Sequence, residues 1–398
     1  MPRAAAIYTA CMNTFATALW RLLGGLTAAA AVLFASAAQP GAIAQEPNPV
    51  SVWTIETLAP ASTLYAAALD SRDRPHLIYA SPDGFQYATQ VDGVWQFEAL
   101  PIDEGTNLTF ADFDLAITAE DTPCLAYATA APTDVHPVDT HTLYGCRGQA
   151  GWQLTAIADG SAEVQLEMDA HGQPHIALTQ GNYAYYLTYR ESQWWVEVIH
   201  ASTGWVNLVS LLLDDAGQPH AIYTAAAGQF ESVRRGLYDW PATPIPAAVG
   251  SPVAGALDGA GRLWLVVNQG RAEWGHPPFF SVKLLLAVRD AAGNWTTQPI
   301  DEAYDWFYEI DLTTDANDVA HVAYRDPAGQ LVYAWWTDAG VAKHPVGVMA
   351  DDQPLSVDLG SDSQARLAFT DSSQVRYATR GVAWLEAGAY LPSVVKGR

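Results

Sequence analysis

Short apolar runs alternate with polar turns along most of the 398-residue chain. The first complete unit contains four such runs, which are Tyr65 to Leu69, His76 to Ala80, Phe85 to Gln90 and Val94 to Leu100. Within them apolar and polar positions tend to alternate, and Asp, Gly and Pro fill the turns between them. This pattern predicts four antiparallel β-strands. Beyond the N-terminal region no segment has a sustained helical period.

One phrase marks five of the seven units: an Asp stands six positions before the His, or its replacement, that opens the second strand. The full phrase occurs as Asp70 with His76, Asp169 with His175, Asp214 with His220, and Asp315 with His321. Trp264 follows Asp258 at the same spacing, and Cys124 and Arg366 occupy the His position in the two remaining units. Consecutive His positions are 44 to 57 residues apart, which predicts a radial or stacked repeat. Seven four-stranded units indicate an all-β, seven-bladed β-propeller. Two β-sandwiches are the alternative, but they would not give one period along the chain.

Two aromatic positions recur with the same period. The third strand carries a Tyr in most units, as in Tyr87-Ala88-Thr89. The fourth strand carries a Trp, at Trp95, Trp152, Trp194, Trp295 and Trp384. A catalytic residue is needed once, whereas a packing device is needed in every unit. We therefore expect the turn Asp to accept a hydrogen bond from the His, and the Trp to cover that pair.

The two ends of the chain differ from the repeats. Arg3 and Arg21 precede the apolar run Leu22 to Ala38, and small residues follow it, which predicts a signal peptide over residues 1–44. We expect a linker at 45–49, the propeller at 50–392 and a tail at 393–398. The segment from Trp53 to Leu58 copies the fourth-strand pattern. It is predicted to pair in the last blade, beside the Trp384 strand, and so to close the ring.

Charge and cysteine content restrict the partners. The formal net charge of −24 disfavours nucleic acid and anionic lipid, so neither is expected as a partner, and no membrane contact is expected after signal cleavage. The segment after residue 44 contains only Cys124 and Cys146, which we predict to form a disulfide in a secreted, monomeric protein. Such a bond would make the His and third-strand Thr positions cross-strand neighbours in every blade.

The order of the strands over residues 50–392 resembles that of secreted bacterial propellers of the sialidase-like and BNR-repeat class. The His, Asp and Trp set is also similar to that of WD-repeat proteins. The resemblance implies the propeller fold, and it implies glycan cleavage as one possible activity. The Asp-box of sialidases, Ser-x-Asp-x-Gly-x-x-Trp, does not occur in the sequence.

Few residues form a recognisable chemical site, and we expect no metal and no cofactor. His171 and His175 have metal-ligand spacing, but a turn with Pro174 separates them. The segment from Asp134 to His141 is rich in His and Asp and is interpreted as a solvated loop. The first strands carry Asp114, Glu167, Asp311 and Asp358, which would line the central channel. These acids are either paired carboxylates for glycosidic cleavage, hydrated channel residues or a cation site.

The loops offer a stronger candidate site. Long connections between second and third strands are predicted at 128–141, 224–236 and 268–281, and propeller topology places these connections on one face with the links between blades. We predict a binding site there, with an aromatic shelf of Trp274, His276, Tyr304 and Trp306 and with Arg234 and Asp305 as polar partners. The alternative is that these aromatic side chains fold back and cap the blades.

These observations predict a secreted, non-enzymatic binding propeller that recognises a glycan or an extracellular protein surface. The alternative is a glycan-cleaving enzyme, either a sialidase-like glycosidase or a polysaccharide lyase, acting at the channel mouth. A structural or adhesion module is a third hypothesis.

Overall fold

The computed structural model of the chain describes residues 49–60, 62–102, 112–128, 141–159, 163–270, 281–303, 307 and 309–384. These residues form seven antiparallel sheets in a ring, with four principal strands in each sheet. The predicted seven-bladed β-propeller is therefore confirmed. None of the described segments is an apolar helix that could cross a membrane.

The first strand of each blade lines the channel and the fourth lies outermost. Blade 1 contains β2 (Thr63–Leu69), β3 (Pro75–Ser81), β4 (Gly84–Val91) and β5 (Val94–Ala99). Blade 2 contains β6 (Asp112–Ile117), β7 (Pro123–Ala128), β8 (His141–Gly148), the short β9 (Gly151–Trp152) and β10 (Thr155–Asp159). Blade 3 contains β11 (Glu163–Met168), β12 (Pro174–Gln180), β13 (Tyr183–Arg190) and β14 (Gln193–Ala201).

The remaining blades follow the same order until the last. Blade 4 contains β15 (Val206–Leu213), β16 (Pro219–Ala225), β17 (Gly228–Val233) and β18 (Ala242–Pro244). Blade 5 contains β19 (Ser251–Leu257), β20 (Leu263–Gln269), β21 (Val282–Arg289) and β22 (Trp295–Ala303). Blade 6 contains β23 (Ile310–Thr314), β24 (Ala320–Arg325), β25 (Gln330–Thr337) and β26 (Gly340–Met349). Blade 7 contains β27 (Ser356–Leu359), β28 (Ala365–Asp371), β29 (Gln374–Trp384) and, as its outer strand, β1 (Pro49–Pro60).

The repeated Asp closes the turn between the first and second strands with one carboxylate oxygen. In blade 1 the Oδ1 of Asp70 accepts hydrogen bonds from the backbone N–H groups of Arg72 and Arg74, each at 2.9 Å. The Oδ2 accepts a hydrogen bond from the guanidinium group of Arg74 and also faces the second strand, where it lies 3.3 Å from the Nε2 of His76. In blade 5 the Oδ2 of Asp258 accepts the indole N–H of Trp264 at 2.7 Å. Trp can replace His at this position because both rings present an N–H to the carboxylate.

The repeated His has a second partner that the sequence analysis did not assign. The Nδ1 of His76 lies 2.5 Å from the hydroxyl of Tyr87, on the third strand of the same blade. The equivalent contacts are His175 with Tyr186 at 2.7 Å and His321 with Tyr333 at 2.6 Å. In blades 3, 4 and 6 the His–Asp distances are longer, between 3.5 and 3.8 Å. The tyrosine hydroxyl is thus the closer partner of the imidazole in three blades.

Tryptophans in the outer part of six blades join neighbouring blades and do not cover the His–Asp pair of their own blade. Trp53, Trp95 and Trp194 lie on outermost strands, whereas Trp152 lies on β9, Trp336 lies on the third strand β25 and Trp240 lies outside the strands. Each ring packs against an aromatic ring of the preceding blade, with centroids 5.0 to 5.6 Å apart: Trp152 on Tyr87, Trp194 on Tyr144, Trp240 on Tyr186, Trp336 on Trp264, Trp53 on Tyr333 and Trp95 on Tyr377. These side chains lie on the side of their blade that faces the preceding blade. Trp295 also packs toward the preceding blade, within the apolar cluster around Ile222 and Leu265.

The first strand of the chain closes the ring. β1 pairs with β29 along its whole length, from Pro49 opposite Trp384 to Pro60 opposite Gln374. The predicted position of this strand in the last blade is therefore correct, but the role of Trp384 is not. Trp384 ends the third strand, β29, and Trp53 on β1 is the outer-strand Trp of blade 7. A further link joins blades 7 and 1, because the indole N–H of Trp95 donates to Glu56 at 2.9 Å.

Cys124 and Cys146 form a disulfide in blade 2, with their Cα atoms 4.0 Å apart. The two residues are directly paired between β7 and β8. The same register pairs His76 with Thr89, His175 with Thr188 and Arg366 with Thr379. The predicted neighbourhood of the two repeat positions is therefore present in the ladders.

Removal of β1 should open the ring. We expect deletion of residues 45–58 to lower the melting temperature by several degrees, because β29 would become an exposed edge and Tyr333 would lose the ring of Trp53. Trp53→Ala should give a smaller loss, and Val52→Ala, on the exposed side of the same strand, should give almost none. Thermal unfolding of the four proteins measures the effect. An unchanged melt on deletion would contradict the ring-closing role.

The disulfide should also stabilise the fold. Replacing both cysteines with Ala should lower the free energy of unfolding by about 3 kcal/mol, because the bond closes a loop of 22 residues. Intact mass under non-reducing conditions should show no free thiol in protein exported to an oxidising compartment. Two free thiols in that material would contradict the assignment.

Candidate functional site

The first strands enclose a central channel with a cavity of about 610 Å³. All four channel acids predicted from the sequence, which are Asp114, Glu167, Asp311 and Asp358, line this cavity. The strand register places them at two levels. Glu167 and Asp358 lie opposite the repeat positions His175 and Arg366, whereas Asp114 and Asp311 lie two residues further from the turn. The channel is therefore an acidic well with carboxyl groups on opposite sides of the ring.

Most of these carboxylates hold the next blade. Asp114 of blade 2 accepts the backbone N–H of Leu166 in blade 3 at 2.7 Å. In the same way Asp311 accepts the backbone N–H of Val357 at 2.8 Å, and Asp358 accepts that of Leu69 at 3.0 Å. Two acids nearer the opposite end of the channel repeat it, Asp112 with Val164 and Glu163 with Leu208. Each bond satisfies an edge N–H of an inner strand, so these acids have a structural role in the ring.

Burial inside the ring makes these groups weak acids. It raises the pKa of Asp114 and of Asp358 to about 7 and that of Asp311 to about 6, despite the hydrogen bonds from backbone amides. The pKa of Glu167 is raised to about 8, first by burial and then by the nearby charges of Asp114 and Asp358. Protons are therefore bound in the channel near neutral pH.

Glu167 is the channel acid with no structural bond. No hydrogen bond joins its carboxyl group to any of the described residues, in contrast to Asp114, Asp311 and Asp358. A single protonated carboxyl group can act as a general acid, but hydrolysis with two carboxyl groups needs a second one that is free to react. The described ranges also contain no group of three or more His, Cys, Asp or Glu side chains arranged to hold a metal ion.

The predicted loop site lies mostly outside the described residues. Trp274, His276, Tyr304, Asp305 and Trp306 all belong to segments that the structure does not describe. The strands that flank these segments are described. β20 ends at Gln269 and β21 begins at Val282, so the intervening connection joins second and third strands as predicted. The connection between β7 and β8 has the same place in blade 2.

Arg234 does not belong to this face, and its assignment as a polar partner is corrected. In blade 4 the second and third strands are joined by a tight turn at Ala226 and Ala227, and Arg234 follows the third strand, on the opposite face. Its guanidinium group forms two hydrogen bonds with the carboxylate of Glu197 in blade 3, at 2.9 and 2.6 Å. Arg234 is therefore a link between blades. The connection that follows it exposes Leu237 and Tyr238 on the opposite face.

The described part of the loop face carries exposed aromatic residues that the sequence analysis missed. Tyr183 begins the third strand of blade 3, and Trp205 lies in the link from blade 3 to blade 4. Both are among the exposed large apolar residues of the protein. The usable signal in the sequence was a Tyr at the start of a third strand, three residues before the Tyr that begins the repeated Tyr-x-Thr phrase (Tyr186 to Thr188). Other blades carry different residues at that position.

Comparison with known proteins shows the fold and no family. No protein-family model and no characterised protein sequence matches the chain. The structure is similar to that of a catalytically inactive variant of virginiamycin B lyase from Staphylococcus aureus with quinupristin, with 12% sequence identity, a TM-score of 0.59, and coverage of 83% of this chain and 99% of the lyase. For YCF48 bound to D1 peptide the sequence identity is 14% and the TM-score 0.52, with coverage of 82% of this chain and 94% of YCF48. For the polysaccharide lyase Uly1 the identity is 10% and the TM-score 0.51, with coverage of 81% of this chain and 90% of the lyase. At these identities the likeness concerns the seven-bladed propeller alone.

The channel carboxyl groups predict a stability that falls with rising pH. Their pKa values are higher in the folded protein than in the unfolded chain, so the folded state binds more protons between pH 4 and 8 and loses stability as the pH rises through about 6 to 8. Burial lowers the pKa of His76, His175 and His321. These histidines therefore reduce the stability only as the pH falls below their ordinary pKa of about 6.5.

Between pH 6.5 and 8.5 a change in stability therefore reports the channel carboxyl groups and not these histidines. We expect the free energy of unfolding, measured by chemical denaturation, to be larger at pH 6.5 than at pH 8.5. Glu167→Gln should reduce this difference, whereas Glu120→Gln, at an exposed turn, should leave it unchanged. Equal pH dependence in the wild type and Glu167→Gln would show that Glu167 does not titrate in this range.

Proposed function

We propose that the protein is a secreted, non-enzymatic binding propeller that recognises a glycan or a protein surface with its loop face. This face is the one on which second strands join third strands and on which successive blades are linked. The observation that carries the proposal is the position of the long connections. In blades 2 and 5 they leave and re-enter this face, between Ala128 and His141 and between Gln269 and Val282.

The composition of these connections supports a binding role. The one in blade 5 contains Trp274 and His276, and the link after that blade contains Tyr304, Asp305 and Trp306. Exposed aromatic rings are costly to hydrate unless a ligand covers them, and loops on a rigid scaffold commonly carry binding residues. Aromatic faces stack on sugar rings, and flanking Asp and His side chains supply directional hydrogen bonds. Export and a monomeric state are part of the same proposal.

The use of the channel acids favours binding over catalysis. Asp114, Asp311 and Asp358 accept backbone N–H groups of neighbouring blades, so a reaction that consumed their lone pairs would compete with the bonds that hold the ring. The alternative function, a glycan-cleaving enzyme of the sialidase-like or polysaccharide-lyase kind, is favoured by one observation. Glu167 has a pKa raised to about 8 and no hydrogen bond within the described part of the chain, as a general acid would require.

Binding should depend on the loop tryptophans and not on the repeat frame. We expect Trp274→Ala and Trp306→Ala each to cost about 1–3 kcal/mol of affinity for a ligand found on a glycan or protein array, because aromatic anchors dominate such sites. Their melting temperatures should stay close to that of the wild type. Trp95→Ala is the contrast, since its ring packs on Tyr377 between blades 1 and 7, and it should reduce stability far more than binding.

Two results would contradict the proposal. If both loop variants unfold as readily as Trp95→Ala, these rings are part of the core. If the wild type releases sugars from mixed polysaccharides and Glu167→Gln does not, the protein is an enzyme that acts in the channel. The binding proposal expects no release from either protein.

A further inference from the structure

The rim where blades 2 and 3 meet on the loop face carries a pair of tyrosines that the repeat frame does not use. Tyr183 is directly opposite Gln180 in the β12–β13 ladder, so both side chains lie on the same face of the sheet. Tyr185, two residues further along, lies on that face as well and packs toward blade 2. The rings of Tyr183 and Tyr185 are nearly parallel, at 25°, with centroids 5.8 Å apart. Tyr183 is 40% exposed.

Polar groups continue this surface into blade 2. The side-chain amide of Gln180 donates to the backbone oxygen of Asp159 at 2.8 Å. The carboxylate of Asp159 lies 3.0 Å from the Nδ1 of His141. Their side chains are 91% and 39% exposed, respectively. Gln180 therefore lies opposite Tyr183 and holds the residue whose carboxylate faces His141, while Tyr183 is exposed and Tyr185 is partly buried. We call these five residues the blade 2–3 rim.

We propose that the blade 2–3 rim binds the pyranose ring of a neutral glycan. A pyranose presents an apolar C–H face beside an edge of hydroxyl groups, and the rim presents aromatic rings beside a carboxylate, an imidazole and an amide. The sugar face would pack on Tyr183 and Tyr185, and its hydroxyl groups would donate to Asp159 and exchange hydrogen bonds with His141 and Gln180. This inference rests on the proposed function and names its ligand class and an additional subsite.

Charge selects a neutral ligand. The formal net charge of the chain is −24, and the rim carries the highly exposed carboxylate of Asp159. A sialic acid or uronic acid would bring another negative charge next to that carboxylate, which repels it both on approach and in contact. An apolar peptide is also disfavoured, because the polar groups of the rim would lose water without gaining partners.

Tyr183 is not needed for the fold. Residues outside the rim also join blade 3 to blade 2, among them Trp194, which packs on Tyr144, and Leu166, whose N–H is held by Asp114. Tyr183 can therefore be changed without loss of the frame. The same strand supplies a matched control, because Tyr189 lies on the same sheet face, is also 40% exposed, and stands at the opposite end of β13. Tyr189 packs on Trp194 within its own blade.

The test compares wild type, Tyr183→Ala, Asp159→Asn and Tyr189→Ala. An array of neutral cello-, malto- and N-acetylchito-oligosaccharides, with sialylated and uronic-acid oligosaccharides as the anionic arm, identifies the best probe, and titration calorimetry with that probe measures affinity. We expect a neutral probe to bind best. We expect Tyr183→Ala to weaken it about ten-fold or more, Asp159→Asn to weaken it several-fold and Tyr189→Ala to leave it unchanged, with similar melting temperatures throughout.

The outcomes separate this inference from the proposed function. If the wild type binds a neutral oligosaccharide and Trp274→Ala weakens it while Tyr183→Ala behaves like Tyr189→Ala, the rim inference is overturned and the proposed function stands. Preference for the anionic arm or for peptides also overturns it. If the wild type binds no oligosaccharide and no protein, the proposed function itself fails.

Discussion

The ring depends on how the innermost strands satisfy their exposed edges. In a propeller the first strand of every blade has a partner on only one side, so its other backbone N–H groups face the channel. Here carboxylates of one inner strand accept N–H groups of the next, as Asp114 does for Leu166 and Asp358 does for Leu69. The bond from Asp358 links the last blade to the first. Closure at the axis and closure at the outside, where β1 completes blade 7, therefore rest on separate interactions.

This arrangement has an electrostatic cost that limits what the channel can do. Carboxyl groups close to one axis raise one another's pKa values, and burial raises them further, so part of the ring is protonated near neutral pH. A protonated carboxyl group still accepts an N–H bond, although more weakly than a carboxylate. The acids can thus keep their structural role while losing charge. That role leaves Glu167 as the channel acid with its oxygens uncommitted to the neighbouring blade, which is why a recognition surface on the rim is favoured over a reaction at the axis.

The periodic part of the fold could be predicted from sequence because each blade repeats the same local requirements. The spacing of Asp and His gave seven units, and the Cys124–Cys146 pair indicated which positions face each other across the second and third strands. The partners between blades could not be predicted in the same way. Whether Trp152 covers its own blade or Tyr87 of the preceding one depends on strand parity within the closed ring, which the sequence does not specify.

The candidate site was less predictable, for related reasons. In blade 4 the third strand carries Glu231 where most other blades carry Tyr, and the packing Trp240 lies outside any strand. Without those markers the chain from 224 to 236 was interpreted as one long loop, and Arg234 was placed on the wrong face. Tyr183 was missed because a Tyr at the start of a strand has the ordinary composition of a strand. Only its exposure and its pairing with Tyr185 distinguish it.

The frame also explains why exposed residues at its rim would make effective binding groups. The backbone of Tyr183 is held on one side by Gln180 and on the other by Ala201, so little backbone freedom remains to be lost when a ligand binds. Tyrosine has few rotatable bonds, and Tyr185 restricts the ring further by stacking against it. Association is penalised mainly by the freedom that groups lose, so a ring held in advance keeps more of its contact energy as affinity. In the proposed binding role the repeated Asp, His, Tyr and Trp network would contribute indirectly, since it fixes the strands whose ends present the rim.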